Sequence, residues 1–199
     1  MDKIKQAELL ARFVHCGQKR QDGEDYIEHP ARLVEVYKRR LKEECDLVNR
    51  DDSPYTETQI DIICARWLHD CLEDCEDRLG VQHIIGNYFS SYTMWLVAVL
   101  THEKYESYNE YIERLSQYRD ALDIKWNDMI DNTSYKIPKK QYEKYRNAVI
   151  FLQTKGIEVP DILLERLNIP CIRECEVCNN KIETTQHSDD FICDKCLKK

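Results

Sequence analysis

The segment from Ile60 to Leu72 restricts the fold more than any other part of the chain. Ile60, Ile63, Cys64, Trp67, Leu68 and Cys71 recur at helical spacing, and Ile62, Ala65 and Leu72 make the remaining faces apolar as well. A helix that is apolar all round belongs at the centre of a bundle, so any polar group on it needs a reason. This one carries His69, Asp70, Glu73 and Asp74 in the string LHDCLED. On a continuous helix residues four apart stack, which predicts His69 over Glu73 and Asp70 over Asp74, in columns about 100° apart. Three carboxylates beside an imidazole repel and desolvate one another unless a cation or a basic group neutralises them. A divalent metal meets that need, although a lone His-Asp pair more often satisfies a local hydrogen bond.

The rest of the chain reads as helical up to residue 170. Ile4, Ala7, Leu10, Ala11 and Val14 form a stripe that Gly17 can end, and a polar loop follows over 18–24. Pro30 suits the first turn of a helix through Leu33, Val36, Tyr37 and Leu41, and DDSP at 51–54 supplies a break. Further buried faces are expected at Met94 to Leu100, at Tyr108, Tyr111, Ile112, Leu115 and Tyr118, and at Leu122, Trp126, Met129 and Ile130. A last long helix runs from near Pro138 to Gly156. No pair of alternating strands flanks a turn before residue 170, and five Gly and five Pro are too few for an all-β fold. The predicted class is all-α.

Charge narrows the partners. The net charge of −8 repels phosphate backbones, so no general nucleic-acid binding is expected and an anionic ligand needs a few specific cations or a metal. The N-terminus lacks a signal-peptide apolar region and no apolar run reaches the roughly 20 residues of a membrane span, so a cytoplasmic protein with reduced thiols is expected. Cys16, Cys45, Cys64, Cys71 and Cys75 read as small core or boundary residues. The other five cysteines crowd into residues 171–199. There Cys175 and Cys178 form one CxxC and Cys193 and Cys196 another, 14 residues apart, a spacing suited to a structural Zn²⁺ held by four thiolates, with a β-hairpin in the intervening length. A redox dithiol pair or disulfides are the alternatives, and Cys171 and His187 are spare ligands. Four thiolates leave no open position, so this tail is structural or binds a protein partner.

Two further strings stand in order around LHDCLED: GQKRQDGEDYIEHP at 17–30 and IKWNDMIDN at 124–132. The ordered set resembles the HD-domain metal phosphohydrolases, and within them the hydrolase domain of RelA/SpoT-type alarmone enzymes and small alarmone hydrolases. The likeness covers roughly residues 5–155, and LTHEKYESYNEYIERL at 100–115 resembles the connecting region of short, stand-alone members. It implies an HD-domain helical bundle over 1–156, a linker over 157–170, and a zinc-ribbon-like module over 171–199. It also implies His29, His69, Asp70 and Asp128 as ligands of Mn²⁺, with Fe²⁺, Zn²⁺ or Mg²⁺ as alternatives for such a mixed nitrogen and oxygen set. Glu73 and Asp74 inherit the handling of the attacking water and the leaving group. Arg20 matches a purine-contacting arginine and Asn132 a substrate-contacting asparagine, for which a helix C-cap is the competing reading. Lys19, with Arg20 and with Lys125 of the last motif, adds charge for the phosphate; a solvated surface cation is the plainer reading of Lys19.

The pattern departs from the alarmone family at Gln21, at Asp25 and in KWNDMIDN, where the family tends towards KLADRLHN. The implied reaction is removal of the 3′-pyrophosphate from ppGpp or pppGpp to give GDP or GTP. A phosphohydrolase of another nucleotide (a dNTP, a nucleoside monophosphate or NADPH) is the alternative, and a non-catalytic nucleotide-binding zinc-ribbon adaptor is the second.

Overall fold

Single side chains set where many of the helices begin. Asp2, Asp77 and Ser90 each accept a hydrogen bond from a first-turn amide, and Thr56 with Gln59 and Ser107 with Glu110 close reciprocal capping boxes. The computed structural model describes residues 2–46, 55–174, 176–184, 192 and 194–197. It divides the chain into two compact units, Met1–Asp131 and Asn132–Lys199.

The first unit is a helical bundle. Its elements are α1 (Lys3–Val14), α2 (Glu28–Asp46), α3 (Glu57–Leu68), α4 (Cys71–Asp74), α5 (Arg78–Tyr88), α6 (Ser91–Leu100), α7 (Tyr108–Ser116) and α8 (Arg119–Asn132), the last residue of which opens the second unit. Helix α3 is central, packed on by α1, α2 and α6. Every residue from Ile62 to Leu68 is buried, including the fully enclosed Arg66, whose guanidinium lies 4.6 Å from the Tyr37 ring centroid and pairs with Asp123 on α8. Gly17, at φ 77°, ends the turn after α1, a conformation that costs glycine little.

The central helix is not continuous through LHDCLED. Helix α3 stops at Leu68, His69 and Asp70 form a turn, and α4 begins at Cys71. The cause is local: His69 Nδ1 bonds the Arg66 carbonyl at 3.0 Å, the acceptor that a continuing helix would give to the Asp70 amide. The columns of stacked side chains expected for an unbroken helix are therefore replaced by a bend. Helix α5 was not expected from the sequence: Val81 and Ile85 are buried on it, whereas its other apolar residues, Leu79, Ile84 and Tyr88, face solvent and blur the stripe. Cys64 and Cys71 are buried as expected, whereas Cys16 is exposed, as is Val36 of the α2 stripe. The side chain of Cys45 and the break at 51–54 lie outside the described residues.

In the second unit are α9 (Lys139–Thr154), α10 (Asp161–Arg166), the antiparallel strands β1 (Cys171–Glu174) and β2 (Lys181–Thr184), and α11 (Asp194–Leu197). Residues 157–170, expected as a connector, contain α10, and Leu163, Leu164, Leu167 and Ile169 are buried, which is more apolar surface than a solvated linker carries. The hairpin also differs from expectation. Its strands flank the first CxxC, with Cys171 opposite Thr184 and Arg173 opposite Ile182, rather than forming between the two CxxC pairs. Among the described residues no helix is long and apolar enough to cross a membrane.

Candidate metal centre

Three parts of the first unit converge on one point. Helix α2 brings His29 from its first turn, the α3–α4 bend brings His69 and Asp70, and α8 brings Asp128. One ligand atom from each lies within 4.8 Å of the others. His29 Nε2 is 3.2 Å from His69 Nε2 and 3.1 Å from Asp128 Oδ1, while His69 Nε2 is 2.8 Å from Asp70 Oδ2. His29, His69 and Asp128 are buried, and Asp70 keeps partial access to solvent.

The outer atoms decide what the inner ones offer. His69 Nδ1 faces the Arg66 carbonyl and His29 Nδ1 faces Asp131 Oδ2 at 2.7 Å, acceptors that each require a proton on the ring nitrogen. Both Nε2 atoms therefore turn inward, 3.2 Å apart, beside two carboxylates. Two inward lone pairs at that distance repel unless positive charge lies between them. Without an ion, a proton on His29 meets that need: burial opposes its charge, but Asp128 and Asp131 outweigh it and lift its pKa to about 9. Asp70 and Asp128 are desolvated as well, yet His69 holds the former, and Lys125 with both histidines the latter, below the ordinary carboxylate range. A divalent cation could take that proton's place among the four groups, and imidazoles anchored through their far nitrogens are the usual ligands of one.

Residues beside the cluster complete its geometry. Tyr26 Oη donates to Asp70 Oδ2 at 2.5 Å, and Lys125 Nζ donates to Asp128 Oδ2 at 2.6 Å. Glu73 Oε1 accepts the backbone N–H of His102 at 2.6 Å, which ties α4 to the loop after α6. Glu73 and Asp74 reach solvent, yet the protein around them strips part of their hydration and, with the charge of Asp70, raises both pKa values.

Other residues singled out by their motifs are placed as follows. Arg20 is buried, with Nη1 2.6 Å from Asp131 Oδ2. Lys19 is 57% exposed and pairs with Asp25 at 2.6 Å. Asn132 donates to Tyr145 Oη at 3.2 Å within the second unit. Cys178 follows β1 and Cys196 lies in α11, whereas Cys175, Cys193 and His187 lie outside the described residues. Sequence reasoning gave no role to Asp131 or to Tyr26. Only Asp131 had a readable signal: it sits three positions from the candidate ligand Asp128 on α8, a separation that shares a helix face, whereas Tyr26 lies in the turn before α2.

The helical bundle shares its all-α fold with a solved structure. That structure, described as a metazoan ortholog of SpoT that hydrolyzes ppGpp and plays a role in starvation responses, matches with a TM-score of 0.59 at 19% identity, over 84% of this chain and 93% of that one. No protein-family model and no curated protein sequence matches the chain.

Proposed function

We propose that the chain is a metal-dependent phosphohydrolase of the HD type whose substrate is ppGpp or pppGpp, from which it removes the 3′-pyrophosphate. The observation that carries this reading is the convergence of His29, His69, Asp70 and Asp128, with both imidazoles oriented inward. The mixed donor set suits Mn²⁺, with Fe²⁺, Zn²⁺ or Mg²⁺ as alternatives. A divalent ion held there supplies charge for an anionic phosphate and brings the pKa of water from 15.7 towards about 7.

The protein's own groups divide the remaining work. Glu73, with its raised pKa and its anchor on His102, is suited to take a proton from the attacking water, since a base nearer neutrality transfers protons more efficiently. Asp74, raised by the same causes, is suited to assist the leaving group. Lys125 adds positive charge while holding Asp128. Arg20 and Asn132 are the proposed substrate contacts, with Lys19 a further cation. The ppGpp hydrolysis ascribed to the structural neighbour supports the substrate assignment.

A specific observation favours a second reading. Arg20, matched to a base-contacting arginine, is engaged by Asp131, and Gln21 follows it where a basic residue is usual. Another nucleotide, such as a dNTP, a nucleoside monophosphate or NADPH, is then the substrate. One Mn²⁺ assay over a nucleotide panel with chromatographic product separation decides. Pyrophosphate released from ppGpp supports the first reading, orthophosphate released from another nucleotide the second, and no turnover a non-catalytic adaptor.

For the tail we propose a structural Zn²⁺ on Cys175, Cys178, Cys193 and Cys196, in a zinc-ribbon-like module over 171–199 that follows an HD-domain unit over 1–156. The hairpin flanking the first CxxC supports it, as does Asn180, whose Nδ2 donates to Cys178 Sγ at 3.3 Å. The module is left to bind a protein partner. Reduced thiols and a nucleotide substrate fit a cytoplasmic setting.

A further inference from the structure

The carboxylate of Asp131 receives donors from three side chains. Its Oδ2 accepts from His29 Nδ1 at 2.7 Å, from Arg20 Nη1 at 2.6 Å and from Arg32 Nη2 at 3.1 Å, and its Oδ1 accepts from Arg32 Nε at 2.6 Å. These partners come from different places. His29 and Arg32 stand on α2, one turn apart, while Arg20 belongs to the loop before it. Arg32 also reaches back to that loop, donating to Glu24 Oε1 at 2.8 Å. The loop is closed on itself by Arg20 N to Glu24 O at 2.8 Å and Tyr26 N to Gln18 O at 3.0 Å.

We infer that Asp131 is a positioning residue for the metal centre: it fixes the ring of His29 so that Nε2 faces the cluster, and it clasps α8 to α2 and to the loop before it. This rests on the metal-centre reading above. An imidazole held by one nitrogen alone can rotate or exchange its tautomer, and a carboxylate on the far nitrogen removes both freedoms while making the ligating nitrogen more basic. Asp131 lies one helical turn beyond Asp128, so the same contact sets the span between two ligands, His29 Nε2 and Asp128 Oδ1, at 3.1 Å. The two guanidiniums, 2.6 Å from Oδ2 and from Oδ1, then act as counter-charges that hold the carboxylate in place.

The test is the affinity of the full-length chain for Mn²⁺ itself, read from the free-ion electron paramagnetic resonance signal, with the helical dichroism as a check on folding. Asp131→Ala strands the buried Arg20, so Asp131→Asn, which keeps the shape and one acceptor oxygen, carries the experiment. It is expected to bind Mn²⁺ about 10- to 100-fold more weakly than wild type. Arg32→Met removes two bonds to the same carboxylate but leaves the His29 contact, so it is expected to keep Mn²⁺ affinity within about fivefold while lowering the melting temperature. Wild-type affinity in Asp131→Asn, or equal losses in both variants, overturns the positioning role and leaves the metal centre standing. Absence of Mn²⁺ binding by the wild type overturns the metal centre itself, and this inference with it.

Discussion

Asp128→Ala is the perturbation that most directly tests whether the four side chains form one binding site. Asp128 is 3% exposed and touches both His29 and Lys125. Removing it deletes one of two carboxylates and releases the Lys125 ammonium towards the imidazoles. At an effective dielectric constant of 20, two unit charges 4 Å apart interact by about 4 kcal/mol, so for a divalent ion the loss is at least on the order of a thousandfold in affinity. Ligand binding to the folded state stabilises it by about 2.7 kcal/mol at a hundred times Kd, and for a chain of this size each kcal/mol moves the melting temperature by roughly 2–4 °C. Saturating Mn²⁺ should therefore raise the wild-type melting temperature by about 5–11 °C, and leave that of Asp128→Ala essentially unmoved. Melting is best followed by the fluorescence of Trp67, Trp95 and Trp126, all in the first unit, and Mn²⁺ should be added to metal-free buffer, because a chelator would also strip zinc from the proposed four-thiolate site. Equal shifts in the two proteins would remove Asp128 from the site, and no shift in the wild type would refute the cluster as a divalent-ion site.

Three other outcomes follow from the same contacts. Glu73→Gln keeps all four proposed ligands and the acceptor for the His102 amide, so it should bind Mn²⁺ normally yet lose about 10²-fold or more in turnover; single-turnover rates check this, and unchanged rates would exclude Glu73 as the base. The double variant Cys175→Ser, Cys178→Ser should lose one tightly held zinc by elemental analysis, whereas unaltered zinc content would rule out the four-thiolate site. His15 is buried against Tyr26, and desolvation lowers its pKa despite Gln18 and Asp70. The folded chain therefore resists a proton that the unfolded chain accepts, and stability should fall as pH drops below about 6.5, by at most about 1.4 kcal/mol per pH unit from this group. Urea titrations of His15→Gln across pH 5–7 should show a shallower fall than wild type, and parallel curves would count against this origin.

Much of the centre was legible because three ordered strings of the sequence resemble the motifs of a known family, and because the helix that carries the middle one has a plain apolar period. Apolar periodicity identified α3 as the core helix, since tertiary burial and local propensity agree there, and Ile63 and Leu68 are fully enclosed. The metal-ligand candidates His29, His69, Asp70 and Asp128 were each named from their motifs and are brought together. What escaped was the backbone path between them. A propensity argument treats LHDCLED as continuous helix because it contains no glycine or proline, and it cannot foresee an imidazole capturing the Arg66 carbonyl. Asp131 escaped for a related reason: a carboxylate one turn from a ligand looks like surface charge until the fold delivers His29, Arg20 and Arg32 to it. Helix α5 was invisible because a short helix with two buried side chains has almost no periodic signal.

The bend after Leu68 has one more implication. The carbonyl of Asp70 accepts the amides of both Glu73 and Asp74 at 3.0 Å, so the short turn of α4 hangs from a residue whose carboxylate belongs to the proposed cation site. Capture of a cation by Asp70 would therefore stiffen the pedestal on which Glu73 and Asp74 stand, and on the proposed reading loading the ion and aiming the two acids would be one mechanical event.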